Sequence, residues 1–182
     1  RTPNFKRWFG DWENHPENAS KVVDANGEPL VVYHGTPHGG FSVFSTKGRG
    51  GTKDTGAWFT SNRLISLSYA DDDYINNIYP VFINLRNPYI VNADGSNWEY
   101  IEVGETFMET NEIVKKVRNG ELGDGNHDGV IIQNVVDVGD GNAEDLYELP
   151  RKDLIGDDVI IFESNYVKSA TKNNGDFSEA LD

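Results

Sequence analysis

The chain has no cysteine in its 182 residues. That excludes a disulfide, a thiolate nucleophile and a cysteine-type zinc site, and it is compatible with a reducing cytosol. Basic residues are scarce: 16 against 30 acidic ones, for a net charge of −14. Such a balance argues against tight binding to a nucleic-acid backbone over a broad surface, leaving room only for a local basic groove around Lys47, Arg49 and Lys53. No run of 18 apolar residues occurs, and the start lacks a signal-type apolar core. The expectation is therefore no membrane span and a cytoplasmic location. The four histidines are scattered, with no pair at zinc-ligand spacing. Asp124-Gly125-Asn126-His127-Asp128-Gly129 matches the first half of a calcium loop, but Val135 stands where the bidentate glutamate belongs. It reads as a turn into a strand, and no metal is expected. The glycosylation triplet Asn18-Ala19-Ser20 is discounted as a chance match.

What is present is a globular composition, 37% hydrophobic and 12% aromatic, enough for a core of its own. We expect one domain over 1–182, with residues 1–20 as a docking segment and 173–182 as a frayed tail. Nineteen glycines and seven prolines among short Val/Ile/Tyr/Phe runs point to a mixed α+β fold with many turns. The aromatic opening Phe5–Trp12 reads as a short helix ended by Gly10. Residues 21–34 read as a hairpin, with Asn26-Gly27 supplying two left-handed positions, so that His34 falls near a strand end. A glycine-rich polar loop covers 45–57, and Trp58-Phe59-Thr60 resumes a strand. Ser61 is expected to cap a helix carrying Leu64, Ile65, Leu67 and Tyr69. Further strands are expected at 79–85, 129–135 and 158–162, with a helix at 108–118 burying Ile113, Val114 and Val117. The stretch Asp137–Asn142 reads as a solvated loop.

Four separated segments carry the chemistry: Val32-Tyr33-His34-Gly35-Thr36, Thr55-Gly56-Ala57-Trp58-Phe59-Thr60, Ser66-Leu67-Ser68-Tyr69 and Asp157-Asp158-Val159-Ile160-Ile161-Phe162. Taken singly, His34 reads as a structural histidine and Trp58 and Tyr69 as core aromatics. Their combination differs. Trp58 is followed eleven residues later by Tyr69, and Ser66 lies three before Tyr69, on the same face of a helix. In order and spacing these segments resemble the His-Tyr-Glu class of ADP-ribosyltransferases, which includes diphtheria toxin and the poly(ADP-ribose) polymerases. Over roughly residues 2–177 the chain is similar to the ADP-ribosyltransferase domains of phage and mobile-element polyvalent proteins, and to related domains of phage-linked polymorphic toxins.

The resemblance implies a split β-barrel of two bent antiparallel sheets with flanking helices, and NAD as co-substrate in the cleft between them. It implies a binding set of His34, Gly35, Thr36, Gly56, Trp58, Phe59, Ser66 and Tyr69. The Gly35 backbone would pair the nicotinamide carboxamide, Ser66 would donate to its oxygen, Tyr69 would stack on the ring and Trp58 would wall the other side. His34 would bind the adenine-side ribose, with Thr36 supporting its loop. A carboxylate would stabilise the oxocarbenium-like sugar formed as nicotinamide leaves. The family places glutamate there, whereas the aligned position here holds Asp158. Glu163 ranks behind it, because five residues along a strand reverse the face. The implied activity is mono-ADP-ribosylation of a protein or nucleic-acid acceptor by an effector or toxin domain, with an immunity or inhibitor protein as a possible partner. NAD hydrolysis and turnover-free binding of NAD or ADP-ribose stand as alternatives.

Overall fold

The computed structural model describes residues 2–47, 56–70, 77–139, 146 and 148–171. Its first helix, α1 (Pro3–Phe9), starts where the Thr2 hydroxyl accepts the Phe5 N–H and Pro3 fills the first turn. Gly10 ends it at φ 102°, donating its N–H to the Lys6 carbonyl. One side of α1 buries Phe5, Trp8 and Phe9 with Trp12 and Ala19, and Phe82 packs against this cluster. The aromatic opening is thus a short helix with its rings packed against Phe82.

The expected hairpin is reduced to one bridge, Val23 with Pro29. Its turn is held by the Asp24 carboxylate, which accepts the N–H groups of Asn26 and Glu28. Only Gly27 is left-handed there, at φ 79°. The aspartate side chain does the work that a second left-handed residue would have done.

Among the described residues, one mixed sheet of seven strands forms the body. Its strands are β1 (Val32–Gly35), β2 (Ala57–Thr60), β3 (Ile78–Ile83), β4 (Tyr89–Asn92), β7 (Gly129–Val135), β8 (Gly156–Ile161) and β9 (Val167–Ser169). Their order is β4-β7-β8-β2-β1-β3-β9. A separate hairpin joins β5 (Ile101–Val103) to β6 (Thr106–Met108), and two more helices follow β2 and β6: α2 (Arg63–Ser68) and α3 (Thr110–Arg118). The α+β class agrees with the sequence. The two antiparallel sheets expected of a split barrel differ from this arrangement, because β4 and β7 run parallel and all seven strands belong to one sheet.

Alternation along β7 and β8 builds the core. Ile131, Val159 and Ile161 face one cluster with Val32, Phe59 and Val81. Val130, Ile132 and Ile160 face the other, covered by Ile113, Val114 and Val117 of α3. Burying each such side chain is worth roughly 1.5–3 kcal/mol, which is why a nine-residue helix stays in place. Period two then puts Asp158 on the α3 side, with Ile160. Among the described residues no helix is long and apolar enough to cross a membrane.

Candidate functional site

A pocket of about 420 Å³ opens where β1 and β2 part. The ladder between these strands is a single pair, Tyr33 with Thr60. On the other side of β1, Pro80 pairs with Tyr33 but gives its carbonyl to Ala170 N–H. The polar groups of Tyr33, and of Gly35 two residues on, therefore point toward β2. The ladder does not reach Gly35. Its register mate Trp58 instead accepts at its carbonyl from His34 Nδ1, at 2.7 Å.

That bond fixes the imidazole. A carbonyl only accepts, so Nδ1 carries the proton and Nε2 is left as an acceptor. Burial lowers the His34 pKa from 6.5, opposed by the Trp58 hydrogen bond. Phe44 and Phe59 pack about the ring, with centroids 5.3 and 5.6 Å away.

Helix α2 supplies the next wall. Asn62, not Ser61, caps it by accepting the Leu64 N–H, and it also donates to the carbonyls of Asp153 and Ile155. Ser61 is drawn off to β8, where its hydroxyl accepts the Asp157 N–H. Asn62 thus ties α2 to the start of β8. Gly35 packs so tightly on this helix that an added Cβ would lie 1.7 Å from the Ser66 carbonyl oxygen. Ser66 is 1% exposed, and its hydroxyl donates to Arg63 C=O at 2.7 Å. Its proton is committed within the helix, so toward the pocket it offers lone pairs and not the donor expected. Tyr69 follows as the C-cap, 42% exposed, with its hydroxyl donating to Asp137 Oδ1 at 2.7 Å. Gly139 lies against this ring; a Cβ there would meet Tyr69 Cδ1 and Cε1 at 2.7 Å.

The acidic end consists of Asp158 and Asp137. Asp158 is 4% exposed, and its Oδ2 is buried with no hydrogen-bond partner among the described residues. Burial holds its carboxyl well above the ordinary value, helped by the charges of Asp137 and Asp157 and by a hydrogen bond with Asp137 that favours the protonated form. Asp137 reaches the pocket through a bulge. β7 pairs Ile132 with Asp158 but Val135 with Gly156, one residue out of step, and Asn134 adopts φ 54°. Beyond the bulge the chain leaves β8, and Val136 bonds Ser96 and Trp98 instead.

Of the residues singled out from sequence, His34, Gly35, Trp58, Phe59, Ser66, Tyr69 and Asp158 line this pocket together. Three others do not. Thr36 turns away, exchanging hydrogen bonds with the His38 backbone. Gly56 lies under β8, where a Cβ would strike the Ile161 carbonyl at 2.6 Å. Glu163 is exposed beyond the end of β8, at the start of a short 3-10 turn that its side chain does not cap. Sequence reasoning missed Thr60, Trp98, Asn111 and above all Asp137, read there as solvent-facing loop. The polar pair Gln133-Asn134, interrupting an apolar run, was the one available signal of the bulge that redirects it. Residues 140–142 of that loop, Thr55, Arg49, Lys53 and the tail from 173 lie outside the described residues.

The half-matched calcium loop is a turn into β7: the Asp128 carboxylate accepts the backbone N–H groups of Arg86 and Asn87. Among the described residues no group of three or more His, Asp or Glu side chains is gathered to hold a metal.

A family model described as ADP-ribosyltransferase in polyvalent proteins matches residues 24–177. No curated protein and no solved structure matches the chain.

Proposed function

The chain belongs to the ADP-ribosyltransferase family of polyvalent proteins, and from that premise we propose that it cleaves NAD at the nicotinamide glycosidic bond and transfers the ADP-ribose. One observation carries the reading. A single pocket is lined by a glycine backbone outside the β1–β2 ladder, by aromatic rings that include Tyr69 and Trp58, by a histidine acceptor and by a pair of acids. Its volume of about 420 Å³ suits the nicotinamide riboside half of the dinucleotide.

The Gly35 N–H and C=O would pair with the carboxamide. Ser66, its own proton given to Arg63, would accept from the carboxamide NH₂. Tyr69 would stack on the ring and Trp58 would bound its other side. His34 Nε2 would accept from a ribose hydroxyl, since Nδ1 is held by Trp58. Asp158 stands where the family has glutamate, and the acidic end of the pocket would stabilise the electron-poor sugar carbon as nicotinamide departs. The single β1–β2 bridge divides the sheet into β4-β7-β8-β2 and β1-β3-β9, which supports a split arrangement around the ligand. Modification of one ADP-ribose unit per event, a protein or nucleic-acid acceptor, and an effector or toxin role with an inhibitor partner rest on the family resemblance.

A second reading, a module that binds NAD or ADP-ribose with little turnover, draws support from the buried, protonation-prone Asp158. Incubation with NAD labelled in its adenylate separates the outcomes. Label on a macromolecule indicates transfer, free ADP-ribose indicates hydrolysis, and saturable binding of unchanged NAD indicates the binding module. Absence of any binding contradicts all three.

A further inference from the structure

Resting on the NAD-cleaving reading, we infer that Asp137 is the carboxylate that faces the nicotinamide ribose, and that Tyr69 and Asp158 hold it there. The pocket needs an anion at the point where its sugar carbon becomes electron-poor. Two acids line it, and their surroundings sort them.

Asp158 is almost wholly buried on β8, and its Oδ2 has no partner among the described residues. A carboxylate left bare in such a place is costly, whereas a carboxyl is tolerated and donates one hydrogen bond. The acceptor in reach is Asp137. Asp158 is sunk into β8 whereas Asp137 is half-exposed in the same pocket, so Asp137 is the acid that a bound sugar can reach.

Asp137 is also held in position. Tyr69 donates to its Oδ1 at 2.7 Å. Its backbone is anchored on both sides, by Val136 N–H on the Ser96 carbonyl and by Gly139 N–H on Ser68 Oγ at 2.8 Å. The ring expected to stack on nicotinamide therefore aims the acid at the neighbouring ribose. Ring and acid are one unit.

The chemistry then balances. The bond from C1′ to the nicotinamide nitrogen breaks, its electron pair staying on that nitrogen, so neutral nicotinamide leaves. The Asp137 charge stabilises the electron-poor C1′. An acceptor lone pair forms the new bond to C1′, and the acceptor's proton passes to Asp137 and on to solvent. Asp158 is a positioning residue that keeps its proton throughout.

The test compares purified wild-type protein with Asp137→Asn, Asp158→Asn and Tyr69→Phe. It follows nicotinamide release from NAD, NAD affinity by calorimetry, and melting. Asp137→Asn is expected to lose about 10²–10³-fold in kcat with NAD affinity kept within a few-fold. Asp158→Asn, whose amide still donates to Asp137, keeps kcat within about tenfold of wild type. Tyr69→Phe lowers kcat by up to about tenfold and leaves affinity unchanged, because the ring remains. A folded Asp137→Asn protein with near wild-type kcat overturns the inference, as does a collapse of kcat confined to Asp158→Asn. If Asp137→Asn fails to melt as a folded protein, Asp137→Ser is measured in its place against the same limits. Wild-type protein that neither binds nor cleaves NAD overturns the parent reading and this inference with it.

Discussion

Tyr69 and Asp137 stand 68 residues apart in the chain, yet the phenol hydroxyl donates to the Asp137 Oδ1 at 2.7 Å. This bond links α2 to the bulged exit of β7 and brings a ring and an acid to one wall of the pocket. Removing the whole ring should then cost binding. Stacking on an aromatic platform is worth about 1–3 kcal/mol, so Tyr69→Ala should weaken NAD binding by about tenfold or more. Calorimetric titration checks this; an unchanged dissociation constant would mean that the ring does not touch the ligand.

Two glycines in the pocket wall should respond differently to the same substitution. Gly35→Ala drives a Cβ to 1.7 Å from the Ser66 carbonyl, which is backbone and cannot swing aside. The expected loss is about 3 kcal/mol, or a melting temperature lower by about 6–12 °C in a domain of this size. Gly139→Ala meets the Tyr69 ring at 2.7 Å and, less closely, the Ser68 carbonyl at 3.1 Å. It should displace the ring and weaken NAD binding while changing the melting temperature much less. Thermal denaturation and titration of the two variants side by side test the contrast.

Stability should depend on pH through Asp158. Its folded-state pKa is raised above 3.8 by burial first and by its acidic neighbours second. As pH falls through that raised value, the folded protein takes up a proton that the unfolded chain does not, so this residue's contribution to stability rises until about pH 3.8. As pH rises, the contribution is lost. Asp158→Asn removes the titration, so the melting temperature of the variant relative to wild type should increase from pH 5 to pH 8 on this account, the direction following from linkage. A difference independent of pH would show that Asp158 is ionised in both states.

His34 has the opposite sign. Its folded-state pKa is lowered from 6.5 by burial. Below pH 6.5 the unfolded chain binds more protons, and the His34 contribution to stability falls as pH drops through that value. Ring nitrogen shifts in a nuclear magnetic resonance titration should show the proton on Nδ1 and a midpoint below 6.5. A midpoint above 6.5 would contradict the buried, Trp58-bound imidazole.

The pocket lining was legible in sequence where local order determines geometry. Trp58 on β2, then Ser66 and Tyr69 on and just after α2, share a wall because a strand and a helical turn fix their directions. His34 and Gly35 were legible for the same reason, though the missing Cβ of Gly35 is required by the Ser66 carbonyl and not by ligand approach alone. Asp137 was not, because its place depends on a bulge at Asn134 and on bonds to Ser96 and Trp98 that no local pattern encodes. The capping role passed from Ser61 to Asn62 because β8, distant in sequence, competes for Ser61. The parallel pairing of β4 with β7 was hidden likewise. No strand was expected over 89–92, and its partner β7 follows only after the β5–β6 hairpin and α3.

The most direct measurement is a crystal structure of the protein with a non-cleavable NAD analogue. The nicotinamide ring is expected between Tyr69 and Trp58, its carboxamide on Gly35 and Ser66, and its ribose within hydrogen-bond reach of Asp137. An analogue bound elsewhere, or a pocket in which Tyr69 and Asp137 stay apart from the ligand, would contradict it.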